Sequence, residues 1–222
     1  VSGNVTVGTI THGGGSTYCY YNFGSPASGT ETITNNNFSN ITVSTGSSGL
    51  YGIYTNTAVG QNRVASNNIV SNLNHLGTGA VYGLYALSTN SNQVDNNTVH
   101  TLSGGGTLYG LYFSGTNPTV YNNNVYNLTT SGTTLYGLYN SGTGTTNCYK
   151  NQVYNLTNNN ASATLYGFYI TTGTSNYVYN NFVSDLKAPN SASLTGLVGM
   201  YVSAGTSIGL YYNTIFLNAT SV

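Results

Sequence analysis

The chain has 222 residues, enough for one sizeable domain, yet carries only three basic and three acidic side chains, 3% charged against about 25% in ordinary domains. Zero formal charge without a basic run argues against nucleic-acid and anionic-membrane partners, because phosphate binding needs clustered Lys and Arg. No apolar run approaches the roughly 18 residues of a membrane span, and two cysteines, Cys19 and Cys148, make no disulfide framework.

Residues 1–30, with Gly13-Gly14-Gly15 and the tyrosines Tyr18, Tyr20 and Tyr21, read as an irregular first coil or cap. From residue 31 onward the chain repeats. Tyr-Gly-aliphatic-Tyr occurs at Tyr51–Tyr54, Tyr82–Tyr85, Tyr109–Tyr112 and Tyr136–Tyr139, with Phe168 as the third residue at Tyr166–Tyr169 and a worn copy at Val198–Tyr201. The glycines are spaced 31, 27, 27, 30 and 32 residues apart. A period of this length marks a solenoid, in which each unit buries its apolar face only against its neighbours.

A second motif, apolar-x-x-Asn-x-apolar, runs in step. It is read at Asn36, Asn97, Asn123, Asn151, Asn181 and Asn213, so that seven coils are expected once the second is included. In that second coil Val64, Asn67 and Ile69 fit, while Asn68 with Val70 fits the downstream Leu73 better; we take Asn67 as the motif residue and leave the one-residue choice open. Short segments rich in Val, Thr and Tyr, broken by Asn and Gly and lacking a 3.6-residue period, predict three short strands and three turns per coil. An inward Asn at a turn then finds its amide partners in the identical Asn of the next coil, about 4.8 Å away.

The Gly-Leu-Tyr strand starts (Gly83–Tyr85, Gly110–Tyr112) and the Val-x-x-Asn-x-Val arcs (Val120–Val125, Val178–Val183) resemble the right-handed parallel β-helix repeat family, the pectate-lyase-like solenoids. The resemblance covers roughly residues 30–218 and implies an all-β, right-handed parallel β-helix of about seven coils. It also implies company with secreted bacterial surface proteins whose repeats are rich in Asn, Thr, Gly and Tyr. The family includes polysaccharide lyases and hydrolases, but this chain departs from their clustered acids and bases.

The acids Glu31, Asp95 and Asp185 fall in different coils. Asp95 and Asp185, three coils apart, are expected about 14 Å from each other, beyond the roughly 5–9.5 Å of glycosidase pairs. His12, His75 and His100 share no metal spacing, and Cys148 occupies a Val column and is expected buried. The reading therefore assigns no catalytic residue, metal or cofactor. Within Tyr109-Gly110-Leu111-Tyr112, strict alternation puts Tyr109 and Leu111 inward and Tyr112 outward. Tyr54, Tyr85, Tyr112, Tyr139, Tyr169 and Tyr201 would then form an outward strip, serving as a stabilising ladder or as a platform for sugar rings or another protein. Length varies mostly in one arc, at 103–107, 129–134, 157–164 and 187–195.

The expected function is a non-enzymatic, extracellular structural or adhesive segment of a larger cell-surface or filament-forming protein. Ser221 and Val222 stop part-way round a coil, so further solenoid or self-association through the open end is expected. Glycan-binding or polysaccharide-degrading β-helix proteins are the alternative. Direct insertion into a membrane is not expected.

Overall fold

The computed structural model describes residues 5–10, 14–24, 28–57 and 61–217. It is all-β. Three parallel sheets run the length of the stack, with eight, seven and seven strands, and each strand pairs with its counterparts in the preceding and following coils. A representative coil contributes Thr98–Gly104 to the first sheet, Leu108–Phe113 to the second and Thr119–Tyr121 to the third. About seven such coils stack, as the repeat count requires. The segment read as a first coil or cap supplies two strands, Val5–Ile10 and Thr17–Asn22, that join the first and second sheets in parallel. Its irregularity is a register slip between Thr6 and Gly8.

The core is a set of apolar columns. Val99, Leu102, Leu108, Leu111, Phe113 and Val120 close one coil, each essentially inaccessible to solvent, and their counterparts fill the same places above and below. Cys148 lies in the column of Val120 and Val178, as expected from the repeat.

Two devices bend this backbone away from simple alternation. In the first sheet, Asn40, Asn72, Thr101, Asn127, Asn155 and Asp185 hold left-handed φ of 51–64° in mid-strand. The extra residue lets Val99 and Leu102, three apart, both point inward around an outward His100. In the second sheet the glycine does the same. Pairing joins Tyr109 to Tyr136 and Leu111 to Leu138 but passes over Gly110. A Cβ on Gly110 would lie 2.5 Å from both Val125 Cγ1 and the Gly137 carbonyl oxygen, so Gly110 faces inward beside Leu111. Tyr109 is consequently turned outward to the same face as Tyr112. The inward placement expected for Tyr109 is wrong, because it assumed an unbroken two-residue period.

The turn between third and first sheets carries the asparagine ladder. Each ladder residue sends its main-chain N–H and its Nδ2 to the Oδ1 of the next: Asn97 to Asn123 at 3.0 and 3.0 Å, and Asn123 to Asn151 at 3.1 and 2.9 Å. The same Nδ2 reaches back to a strand carbonyl of the preceding coil, Ala65 for Asn97 and Val94 for Asn123. Every polar atom of a buried amide is thereby used. In the second coil the ladder residue is Asn68, not Asn67. Asn68 Oδ1 accepts from Asn36, and Asn68 donates to Asn97. Asn67 precedes it with φ 55° and is exposed, in the left-handed column of Asn35, Asn96, Asn122 and Asn180. That conformation suits Asn and penalises bulkier residues.

Lys150 and Tyr212 occupy the same left-handed column, and Thr101 the mid-strand one, without an amide side chain. Lys150→Asn and Thr101→Asn should each raise unfolding free energy by about 1 kcal/mol, since left-handed backbone costs most residues about 1–2 kcal/mol. Urea titration of each variant measures this. In the opposite direction, Asn123→Ala removes the acceptor of both Asn97 donors, and should cost roughly 1–3 kcal/mol or more for the groups left unpaired.

Candidate functional site: the tyrosine face

The glycine bend just described creates the most distinctive surface of the molecule. Because Tyr109 and Tyr112 share a face, the second sheet carries two adjacent columns. One runs Tyr18, Tyr51, Tyr82, Tyr109, Tyr136 and Tyr166, with centroids 4.6–5.4 Å apart and planes within 16° of parallel. The other runs Tyr21, Tyr54, Tyr85, Tyr112, Tyr139, Tyr169 and Tyr201, at 4.7–5.2 Å. Between columns the rings meet edge to face, at 87° for Tyr51 with Tyr54 and for Tyr82 with Tyr85. Parallel stacking within columns and near-perpendicular contact across them require the two sets to tilt in opposite senses to the axis. The result is a herringbone, the arrangement that a ring quadrupole favours.

This geometry decides what the face can do. Ring faces in mid-column are covered by the rings above and below, so solvent meets edges and hydroxyls. Stacking on a sugar ring needs an open face, and the column offers none between its ends. The herringbone thus carries the stabilising role more directly than the platform role, each pair adding about 0.5–1.5 kcal/mol beyond its buried area. Half-burial also shifts the phenols. Tyr51 is pushed up to about 12, first by burial and then by its tyrosine neighbours. Tyr82, Tyr85, Tyr109 and Tyr136 are raised further for the same reasons. All of these stay protonated at neutral pH.

Shorter aromatic columns decorate the other sheets. His100, Tyr126 and Tyr154 stack on the first. Tyr121, Tyr149 and Tyr179 stack on the third at 4.9–5.0 Å. That third column went unread, although the Tyr that follows each of Val120, Cys148 and Val178 was its signal.

The candidate reactive residues are dispersed. Glu31 lies at a corner between the second and third sheets, where its Oε2 accepts from Arg63 Nε at 2.8 Å and Thr55 Oγ1 at 2.7 Å, and lies 2.7 Å from Arg63 Nη2. Its Oε1 accepts from Asn22 Nδ2 and Tyr20 Oη. Arg63 is completely buried, the largest such side chain among the described residues. Burial alone would raise the Glu31 carboxyl, but the Asn22 amide, the Arg63 charge and the Thr55 hydroxyl together hold it below its ordinary value.

Asp95 is buried and accepts from Ser66 Oγ, Gln93 Nε2 and Asn96 Nδ2. Asp185 is exposed and pairs with Lys187 at 3.0 Å. His75 is buried, with Nδ1 accepting from the Gly77 N–H at 3.1 Å, so the proton sits on Nε2 and faces the Ser48 carbonyl at 2.7 Å. Burial raises the thiols of Cys19, to about 12, and of Cys148. His12 lies outside the described residues. No group of three His, Cys, Asp or Glu side chains placed to hold a metal occurs among the described residues.

The variable arc connects the first sheet to the second. Two coils span it with three residues, 105–107 and 131–133, while the flanking coils use five, 76–80 and 159–163. The short arcs leave a shallow groove of about 270 Å³, bordered by Asn74, Leu76, Ser103, Thr129, Ser131 and Asn159. No known family model, curated protein or solved structure matches the chain.

The Glu31 geometry gives a pH prediction. A carboxyl depressed in the folded state stabilises fully above its unfolded pKa and loses that contribution as pH falls through the folded value. Glu31→Gln should therefore cost about 3 kcal/mol at neutral pH, near the low end for breaking a buried pair because Gln keeps an acceptor. The gap to wild type should narrow as pH falls through the acid range, measured by denaturant titration at each pH.

Proposed function

We propose that this chain is a non-enzymatic structural or adhesive rod, a segment of a larger secreted surface or filament-forming protein of the type its repeat resembles. The observation that carries this reading is how the stack finishes among the described residues. Leu210 and Ile215 occupy columns whose previous members, Val178 and Val183, are fully buried, yet they are 52% and 46% exposed. Phe216, Leu217 and Ile208 are exposed around them. An apolar coil face of this kind, bordered by strand edges, is complementary to another coil. A second copy docked on this face would extend the rod.

The internal devices support the same reading. The ladders repeat coil by coil with the same donors and acceptors, so further coils add without new chemistry. Two ion pairs engage the few ionisable groups: Glu31 with Arg63 across adjacent coils, and Asp185 with Lys187 within one. The resemblance, and a surface hydrated by hydroxyls and amides rather than charges, support the extracellular and adhesive part of this reading.

Sedimentation of the 222-residue chain over a wide concentration range tests the rod. Association that grows with concentration and is abolished in Leu210→Lys/Ile215→Lys is the expected result. A chain that stays monomeric throughout would exclude self-extension through this face.

A further inference from the structure

We propose that the paired tyrosine columns pass one-electron oxidising equivalents along the solenoid axis, as tyrosyl radicals handed from ring to ring. The inference rests on the ring geometry and is independent of the rod reading. Thirteen tyrosines form the two columns, and no neighbouring pair within a column is more than 5.4 Å apart between centroids. Edge-to-face contacts of 5.1–5.5 Å join the columns at Tyr51–Tyr54, Tyr82–Tyr85, Tyr109–Tyr112 and Tyr136–Tyr139. A radical therefore always has an adjacent phenol along its column and usually another across it.

The chemistry balances with an external one-electron oxidant. The oxidant takes one electron from an exposed terminal phenol, whose hydroxyl proton passes to water, leaving a neutral tyrosyl radical and a reduced oxidant. The adjacent phenol then supplies one electron and one proton to that radical. The first tyrosine is restored and the radical has moved one coil. Donor and acceptor are the same side chain, so each step is close to thermoneutral. The ends are open for entry and exit: Tyr21 is 53% exposed and Tyr201 40%. Competing sinks are few, for the chain has no Trp, one Met, Met200, and two free thiols, Cys19 and Cys148. From Tyr201 to Tyr21 the path covers six coil rises, about 29 Å, too far for a single transfer.

The test tethers a photo-activated ruthenium polypyridyl oxidant to Ser203→Cys, an exposed position two residues from Tyr201, in a Cys19→Ala/Cys148→Val background. Illumination proceeds in dilute solution with a tyramide probe that couples to tyrosyl radicals, and peptide mass spectrometry locates the adducts. Adducts at Tyr18 or Tyr21 are expected in the intact stack. They should be lost in Tyr109→Phe/Tyr112→Phe, which keeps the rings and the fold but interrupts both columns with side chains that have no phenolic proton to give. Adducts at Tyr139, Tyr169 and Tyr201 should persist in that variant. Absence of Tyr18 and Tyr21 adducts from the intact stack, or their undiminished yield in the Phe variant, would overturn the proposal.

Discussion

The structure depends on the amide–amide contact between successive ladder asparagines. A turn that points into the core brings a main-chain N–H and a side-chain amide away from water, and unpaired groups there cost about 1–3 kcal/mol each. No other residue type in the coil supplies two donors and an acceptor at that place. The solution is self-referential: the Oδ1 of Asn123 takes both donors of Asn97, while Asn123 hands its own donors to Asn151. An identical neighbour at the strand spacing is the partner each coil requires. The ladder therefore fixes register as well as stability, since a slip of one residue would strand every amide in the column.

With register fixed, side chains of one kind fall on top of one another, and the surface follows. The glycine bend in the second sheet and the left-handed residue in the first both let two inward residues stand close together. Their effect on function differs. In the first sheet the bend displays asparagines, with Asn72 donating to Asn40 and Asn155 to Asn127 across coils. In the second it brings Tyr109 beside Tyr112 and builds the herringbone. The aromatic face is thus a consequence of where a Cβ cannot fit, at Gly110 and its counterparts Gly83 and Gly137.

Much of this was legible in the sequence. The period, the parallel stacking, the strand-rich coil, the burial of Cys148 and six of the seven ladder asparagines were read directly. Asn67 was chosen over Asn68 because the motif tolerates either. The paired asparagines at Asn35-Asn36, Asn96-Asn97, Asn122-Asn123 and Asn180-Asn181 would have resolved it: the first of each pair is left-handed and the second is the ladder. Tyr109 was misplaced for a related reason. A period-two rule has no term for a bend, and the recurring glycine that marks the bend entered only as a marker of the repeat spacing. The Glu31–Arg63 pair was invisible because its members lie 32 residues apart and meet only when coils stack.

Side-chain amide hydrogen exchange tests the central claim most directly, because it separates ladder asparagines from their immediate neighbours. The Nδ2 protons of Asn97, Asn123 and Asn151 should exchange only with unfolding of the stack, while those of exposed Asn122 and Asn180 should exchange at rates near those of free amides. Equal, rapid exchange at both sets would mean that the amides do not hold the coils together.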